Sequence, residues 1–241
     1  MTHPPTSADT GTDAIWHPSP NFNARRNDLR PHLVVLHYTA MDSAEAALER
    51  LCDPQCEVSA HYLIGADGAL WQMVREADRA WHAGAGEWCG QEDINSRSIG
   101  IELDNRGDHP FSAPQMTQLE TLLSAILQRW VISPTGVIGH SCMAPGRKSD
   151  PGPRFDWARL ARQGLAAPVP EGTGAESAIA QESCAGMDHF RALARARGFT
   201  ADVDDATLLQ AVRLRFRPWQ TGPLTDRDVL PLLTDASRAE A

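Results

Sequence analysis

A continuous apolar run that contains a histidine near its end, residues 33–38, places the strongest constraint on the fold. Such an unbroken run is typical of a strand buried within a sheet, because a half-exposed strand alternates apolar and polar residues. We therefore predict a strand over residues 33–37. This strand brings His37 to the edge of a sheet, where a side chain is available for chemistry.

The rest of the first 160 residues alternates between short strand patterns and helix patterns. One helix is predicted from Ser43 to Leu51, with Asp42 or Ser43 as its N-cap, and a longer helix follows Ser112. Short apolar segments bounded by turn residues predict further strands at 60–64, 69–74, 98–103 and 136–140. This mixture implies an α/β fold with a mixed central sheet flanked by helices.

A change of composition divides the chain. Residues 1–13 are polar and rich in Pro, Thr and Ser, which predicts a flexible tail ahead of a main domain at 14–162. Residues 163–186 are rich in Ala, Gly, Pro, Ser and Glu, as in a linker. Three short helical patterns then predict a small three-helix domain at 187–236.

Charge and composition exclude some functions. The formal net charge is −9 and no basic stripe is present, which argues against a nucleic-acid partner. The first residues lack the apolar core of a signal peptide, and no apolar run approaches the ~20 residues of a membrane helix. We therefore expect a cytoplasmic protein with no membrane insertion, and an exported mature form is the alternative. No pattern indicates an obligate protein partner.

The cysteines do not form a regular framework. Their number is odd and their spacing matches neither a disulfide scaffold nor a CxxC pair, so free thiols are expected. Cys52 and Cys56 lie four residues apart, and a disulfide or metal pair between these two stays open. The five cysteines are Cys52, Cys56, Cys89, Cys142 and Cys184.

A proline- and glycine-rich segment at residues 139–153 carries a histidine, a lysine and an aspartate. Its prolines restrict the backbone, so that His140, Lys148 and Asp150 are held in one arrangement. Imidazole and carboxylate groups are both ligands that zinc accepts. On the residues alone, a charged surface loop is the favoured explanation of this segment, because one His and one Asp ten residues apart are a weak signal for a metal site.

The order of these motifs resembles a known enzyme family. The segments are 33–39, 58–64, 80–84, 95–103 and 139–153. Over residues 14–160 the chain resembles the zinc-dependent N-acetylmuramoyl-L-alanine amidases of the type 2 family, whose fold is shared by phage lysozyme-type amidases and peptidoglycan recognition proteins. The C-terminal helical patterns resemble, more weakly, a peptidoglycan-binding domain.

The resemblance implies that His37, His140 and Asp150 bind a zinc ion, Zn2+, with one coordination position left for water or substrate. Some relatives have a cysteine at the position of Asp150, and Cys142 lies nearby. Asp150 is preferred here because it occupies the motif position. A histidine at a strand end whose ring is bonded to the backbone is the alternative for His37.

Two further residues are predicted to take part in catalysis. Strand alternation puts Glu102 on the face opposite Ile99 and Ile101, and a glutamate in an apolar strand is costly unless it has a partner or a function. Glu102 is therefore predicted to act as the general base and later as the proton donor to the amine. Lys148 offers a positive charge for the developing oxyanion.

Five residues on the remaining motifs are predicted to bind substrate, although solvent exposure or burial explains several of them equally well. Arg147 suits a substrate carboxylate because its guanidinium is a fork of donors. Tyr62 is expected in the core, on the face opposite its neighbour in the strand. The five predicted residues are His61, His82, Asn95, Arg97 and Arg147.

The implied function is hydrolysis of the amide bond between the lactyl group of N-acetylmuramic acid, or its 1,6-anhydro form, and L-alanine of the stem peptide. The partners would be peptidoglycan or soluble muropeptides, in recycling or turnover of the cell wall. A recognition protein that binds peptidoglycan without cutting it is the alternative. The presence of His37, His140 and Asp150 together favours the enzyme.

Overall fold

The fold is described from a computed structural model, which defines Asp9, residues 13–168 and residues 186–233. Most of its strands form a six-stranded sheet in the order β1-β5-β4-β7-β3-β8, and β2 pairs with β6 separately. The strands are β1 (Ile15–Trp16), β2 (Phe22–Asn23), β3 (Leu33–Tyr38), β4 (Tyr62–Ile64), β5 (Leu70–Gln72), β6 (Arg79–Ala80), β7 (Ser98–Leu103) and β8 (Val137–Gly139).

The sheet is mixed, as predicted. Strands β4, β7, β3 and β8 run parallel to one another, whereas β5 is antiparallel to β4. Helices lie on both faces. In the described residues they are α1 (Ala44–Cys52), α2 (Ile94–Arg97), α3 (Ala113–Trp130), α4 (His140–Met143), α5 (Trp157–Arg162), α6 (Met187–Ala196), α7 (Asp205–Phe216) and α8 (Asp226–Leu233).

One face of the sheet packs against α3 and α5. The alternate residues Val34 and Leu36 of β3, with Ile99 and Ile101 of β7, point into this core and are fully buried. Helix α3 begins after Ser112, whose hydroxyl accepts a hydrogen bond from the backbone N–H of Gln115. The packing leaves the intervening residues of both strands on the opposite face.

The opposite face carries polar side chains near the carboxyl ends of the parallel strands. His37 of β3 and Glu102 of β7 lie directly opposite each other in the parallel register. Because the carboxyl ends of parallel strands meet at one edge of a sheet, both side chains lie at that edge. This is the position that the sequence predicted for His37.

The C-terminal helices α6, α7 and α8 contact one another and also pack on this second face. Helix α7 lies against α4, and Phe190 and Leu208 belong to the same apolar cluster as Val35 and Met143. The domain boundaries predicted from composition stay a prediction, and most of the predicted linker, 169–185, lies outside the described residues.

The helices and strands predicted from clear sequence patterns are present in the structure. Where both ends were predicted, they lie within two residues of the observed ends. Ser43 is the N-cap of α1, and Tyr62 is fully buried. Segment 139–153 differs from a simple loop, because residues 140–143 form the short helix α4 directly after β8.

The cysteines of the described part of the chain, including Cys52 and Cys56, are free thiols. No helix in this part combines the length and apolarity needed to cross a membrane.

Candidate metal centre and active site

Three predicted ligands converge at the carboxyl edge of the sheet. The Nδ1 atom of His37 lies 2.9 Å from Nδ1 of His140 and 2.8 Å from Oδ2 of Asp150, and Nδ1 of His140 lies 3.0 Å from the same oxygen. His37 comes from β3, His140 from the start of α4 and Asp150 from the following loop. All three side chains are buried.

The hydrogen bond of His140 indicates which of its ring nitrogens is free to bind a cation. Its Nε2 lies 2.8 Å from the carbonyl oxygen of Ala83, and because a carbonyl only accepts, Nε2 carries the proton. In the neutral ring Nδ1 is then a bare lone pair that faces the carboxylate of Asp150. Ligand atoms around tetrahedral zinc lie about 3.3 Å apart, close to the separations seen here. The three residues therefore fit a metal ion.

Burial shapes the electrostatics of this cluster. It lowers the pKa of His37 to about 4, and the neighbouring His140 acts in the same direction. Burial alone would raise the pKa of Asp150, but hydrogen bonds with His140 and His37 outweigh it and hold that pKa below its usual value. Neutral imidazole and ionised carboxylate are the forms that bind a metal.

Glu102 lies beside the cluster and is partly buried. Its Oε2 atom is enclosed and has no hydrogen-bond partner among the described residues. Burial, helped by the negative charge of Asp150, raises the pKa of Glu102 to about 8, whereas the positive charge of Lys148 opposes that rise. A carboxyl group with a raised pKa, next to a metal site, is suited to accept and return a proton near neutral pH.

The metal cluster and Glu102 open into a cavity of about 370 Å3. Lys148 and Arg147 line it from the loop after α4 and are exposed. One amino group of Arg147 donates to the carbonyl oxygens of Ala83 and Ala85, so only part of its fork is free for a ligand.

The other predicted substrate-binding residues divide into two groups. His82 lines the cavity, but both of its ring nitrogens are bonded within the protein, to His37 at 3.0 Å and to Ser98 at 3.2 Å. His61, Asn95 and Arg97 do not line the cavity.

His61, Asn95 and Arg97 have protein partners of their own. His61 is fully buried, accepts from the backbone N–H of Gly100 and donates to the carbonyl of Asp78. The side-chain oxygen of Asn95 accepts two backbone N–H groups, and Arg97 donates to the carbonyl of Glu92. Direct substrate contact by these three residues has no geometric support, because they lie away from the cavity wall.

Sequence reasoning missed part of the cavity wall. Tyr38, Arg50 and Trp81 line the cavity and were not predicted as site residues. Tyr38 follows His37 in the strand, where alternation predicts the opposite face, but its hydroxyl reaches Ser149 at 2.8 Å. Trp81 directly precedes His82, and that proximity was the available signal.

A larger cavity of about 570 Å3 lies between β8 and the C-terminal helices. Its wall is mainly apolar and contains neither the three converging ligands nor Glu102. The chemistry therefore lies in the smaller cavity.

Residues 27–153 match the family model Amidase_2, described as N-acetylmuramoyl-L-alanine amidase. AmiD of Escherichia coli is 42% identical over 154 residues, which cover 57% of this chain and 55% of AmiD. The 1,6-anhydro-N-acetylmuramyl-L-alanine amidase AmpD of Citrobacter freundii is 36% identical over 160 residues, which cover 59% of this chain and 86% of AmpD. The matched region therefore spans just over half of AmiD and most of AmpD.

Solved structures extend the similarity into the C-terminal helices. A complex of E. coli AmiD with anhydro-N-acetylmuramic acid-L-Ala-D-γ-Glu-L-Lys superposes with a TM-score of 0.76 at 32% identity, covering 87% of this chain and 90% of that one. AmpDh3 of Pseudomonas aeruginosa with anhydromuramic pentapeptide gives 0.77 at 31% identity, covering 87% and 92%. With its His-His-Asp cluster and its matched fold, the chain belongs to the Amidase_2 family of N-acetylmuramoyl-L-alanine amidases.

Proposed function

We propose that this chain is a zinc amidase that hydrolyses the bond between the lactyl group of N-acetylmuramic acid, or its 1,6-anhydro form, and L-alanine. The convergence of His37, His140 and Asp150 beside Glu102, at the base of an open cavity, carries this proposal. Three protein ligands with room for a further one are typical of a catalytic rather than a structural zinc.

Zinc held by these three residues would supply Lewis-acid polarisation of the amide carbonyl and activation of water. Glu102 accepts the proton of the attacking water and then donates it to the leaving amine, so that the amine departs neutral. Lys148 lies on the cavity wall, where its positive charge favours the oxyanion.

The relatives and the size of the cavity support the proposed substrate class. The similar AmiD and AmpDh3 structures hold anhydromuramyl peptides. The cavity of about 370 Å3 is within the range of small-ligand sites, which is roughly 300–1,000 Å3. An anhydromuramyl peptide is therefore the substrate we propose to test first, and intact peptidoglycan is the second.

The test incubates the purified chain with an anhydromuramyl tripeptide and, separately, with intact sacculi, and follows release of the stem peptide by mass spectrometry. We expect release from the soluble substrate that is lost on chelation and restored by added zinc. Release from sacculi as well would extend the function to wall turnover. Stoichiometric zinc without release from either substrate would instead support a recognition protein.

The peptidoglycan-binding role predicted for residues 187–236 belongs to the same proposal. Co-sedimentation of the zinc-free chain with sacculi tests it without interference from cleavage. A cytoplasmic location likewise stays a prediction.

A further inference from the structure

Two consecutive residues lie behind the two histidines of the metal cluster. The Nδ1 atom of His82 lies 3.0 Å from Nε2 of His37, and the carbonyl oxygen of Ala83 lies 2.8 Å from Nε2 of His140. The far nitrogen of each ligand ring is therefore bonded to the same short segment. Such outer contacts orient the rings of metal-binding histidines.

The hydrogen bonds of Ser98 determine which ring nitrogen of His82 carries the proton. The hydroxyl of Ser98 lies 2.6 Å from the carbonyl oxygen of Ile94, which only accepts, so the single proton of Ser98 is used there. Ser98 Oγ must then accept the proton of His82 Nε2, at 3.2 Å. In the neutral ring of His82, Nδ1 is left as an acceptor.

The tautomer of His82 in turn determines the tautomer of His37. Since Nδ1 of His82 is an acceptor, Nε2 of His37 carries the proton and donates it. The Nδ1 atom of His37 is then a bare lone pair that points at His140 and Asp150. The series of hydrogen bonds from Ile94 through Ser98 and His82 thus favours the tautomer of His37 that can bind a metal.

Two features hold the His82 ring in this position. The side-chain oxygen of Asn95 accepts the backbone N–H groups of both His82, at 3.1 Å, and Ala83, at 2.8 Å. Gly100 leaves space for the ring, because a Cβ atom there would lie 2.4 Å from Cγ of His82. Ser98 and Gly100 share one face of β7 with Glu102.

We propose that His82 is a positioning residue of the metal centre: it holds His37 in the tautomer whose Nδ1 faces the metal, and Ser98 sets the direction of its hydrogen bond. The proposal rests on the metal centre of the proposed function. It replaces a substrate contact, predicted for His82 from the sequence, with a contact to the ligand His37.

Zinc affinity of paired variants tests this role. In His82→Asn the side-chain oxygen takes nearly the place of Nδ1 and still accepts from His37, whereas His82→Leu offers no acceptor. We expect His82→Leu to weaken zinc binding by about 10- to 100-fold and His82→Asn by well under tenfold, measured by competition with a zinc indicator. His32→Leu, which alters a histidine outside the cavity that contains the metal cluster, serves as the matched control.

A spectroscopic readout separates positioning from packing. In the zinc-loaded chain, nitrogen-15 NMR should show a proton on Nε2 of His37 and none on Nδ1, and the Nε2 proton signal should move or exchange faster in His82→Leu. If that variant does not fold, Ser98→Ala removes the acceptor of the His82 proton more gently, and its zinc affinity should fall between those of wild type and His82→Leu.

Several outcomes would overturn the proposal. Unchanged zinc affinity in a folded His82→Leu chain, or in Ser98→Ala where only that variant folds, would contradict it. Equal losses in His82→Asn and His82→Leu would show a packing effect only. If the wild-type chain binds no zinc, the metal centre itself fails. If it binds zinc in a His82-dependent way but cleaves no muropeptide, the proposed function fails and the positioning role stands.

Discussion

At the scale of single residues, Glu102 is the group whose environment is costly for the fold and useful for chemistry. An enclosed carboxylate oxygen without a partner destabilises the folded state, and natural proteins retain such groups mainly at functional sites. Its position beside the metal cluster explains why this chain keeps it.

Glu102→Gln preserves shape but cannot move a proton. We expect stoichiometric zinc to be retained and turnover of an anhydromuramyl peptide to fall by about 10²- to 10⁴-fold, the usual contribution of a general base. Metal content and initial rates measure the two effects. Glu120→Gln is the control, because Glu120 lies on α3 away from the active-site cavity and pairs with Arg159. This change should leave metal content and initial rate unchanged. Wild-type turnover in Glu102→Gln would remove Glu102 from the mechanism.

Asp150 and Cys142 are competing candidates for the third ligand. The Oδ2 atom of Asp150 lies within 3.0 Å of both histidine Nδ1 atoms, whereas the thiol of Cys142 is buried in the apolar cluster of the second face. Asp150→Ala should therefore lose stoichiometric zinc and Cys142→Ala should keep it, as measured by metal analysis after dialysis. Retention of zinc by Asp150→Ala would exclude Asp150 as a ligand.

Through the family resemblance the sequence indicated the three residues that converge here; His37 lies near the end of a clear buried strand, and prolines mark the loop of Asp150. The supporting positions of His61 and Asn95 could not be predicted from the sequence. Both side chains are bonded to backbone groups from distant segments, and these contacts depend on how the strands are placed side by side. Side-chain type alone does not distinguish such a support from a substrate contact.

At the scale of elements, predictability followed length and periodicity. Strands β3 and β7 were predicted with nearly their observed bounds, and helix α3 was predicted with its observed start after Ser112. The two-residue strands β1, β2 and β6 and the four-residue helix α4 are too short to show a period. They are fixed by pairing and packing with remote segments.

A buried ion-pair network joins helices α7 and α8. Asp228 is 1% exposed and accepts hydrogen bonds from Arg213 and Arg217. Asp228→Ala leaves Arg213 buried without its carboxylate, and we expect the free energy of unfolding to fall by about 3–5 kcal/mol in urea titrations. Asp188→Ala removes an exposed aspartate of α6 and should change it by less than about 0.5 kcal/mol. Equal effects of the two changes would contradict the assigned network.

At the scale of the whole molecule, acid stability reflects the buried histidines. Burial lowers the pKa of His61 to about 3, whereas the unfolded value is about 6.5. The unfolded chain therefore binds a proton that the folded chain does not, and the stabilising contribution of the neutral ring is present above pH 6.5 and is lost as the pH falls toward 3.

His61→Gln isolates this effect because it removes the titrating ring. Between pH 6.5 and pH 5 the stability of the wild-type chain relative to His61→Gln should fall by about 1–2 kcal/mol, with a slope that approaches about 1.4 kcal/mol per pH unit toward pH 5. Urea unfolding of both zinc-free chains at the two pH values measures it. A constant difference between them would show that His61 is not held neutral by the fold.

The central claim is a zinc ion bound by His37, His140 and Asp150 beside Glu102, and X-ray absorption spectroscopy of the zinc-loaded chain tests it most directly. The account predicts one zinc per chain, with nitrogen and oxygen ligands at about 2.0–2.2 Å and the scattering pattern of two imidazoles. A sulfur ligand at about 2.3 Å, or the absence of stoichiometric zinc, would contradict it.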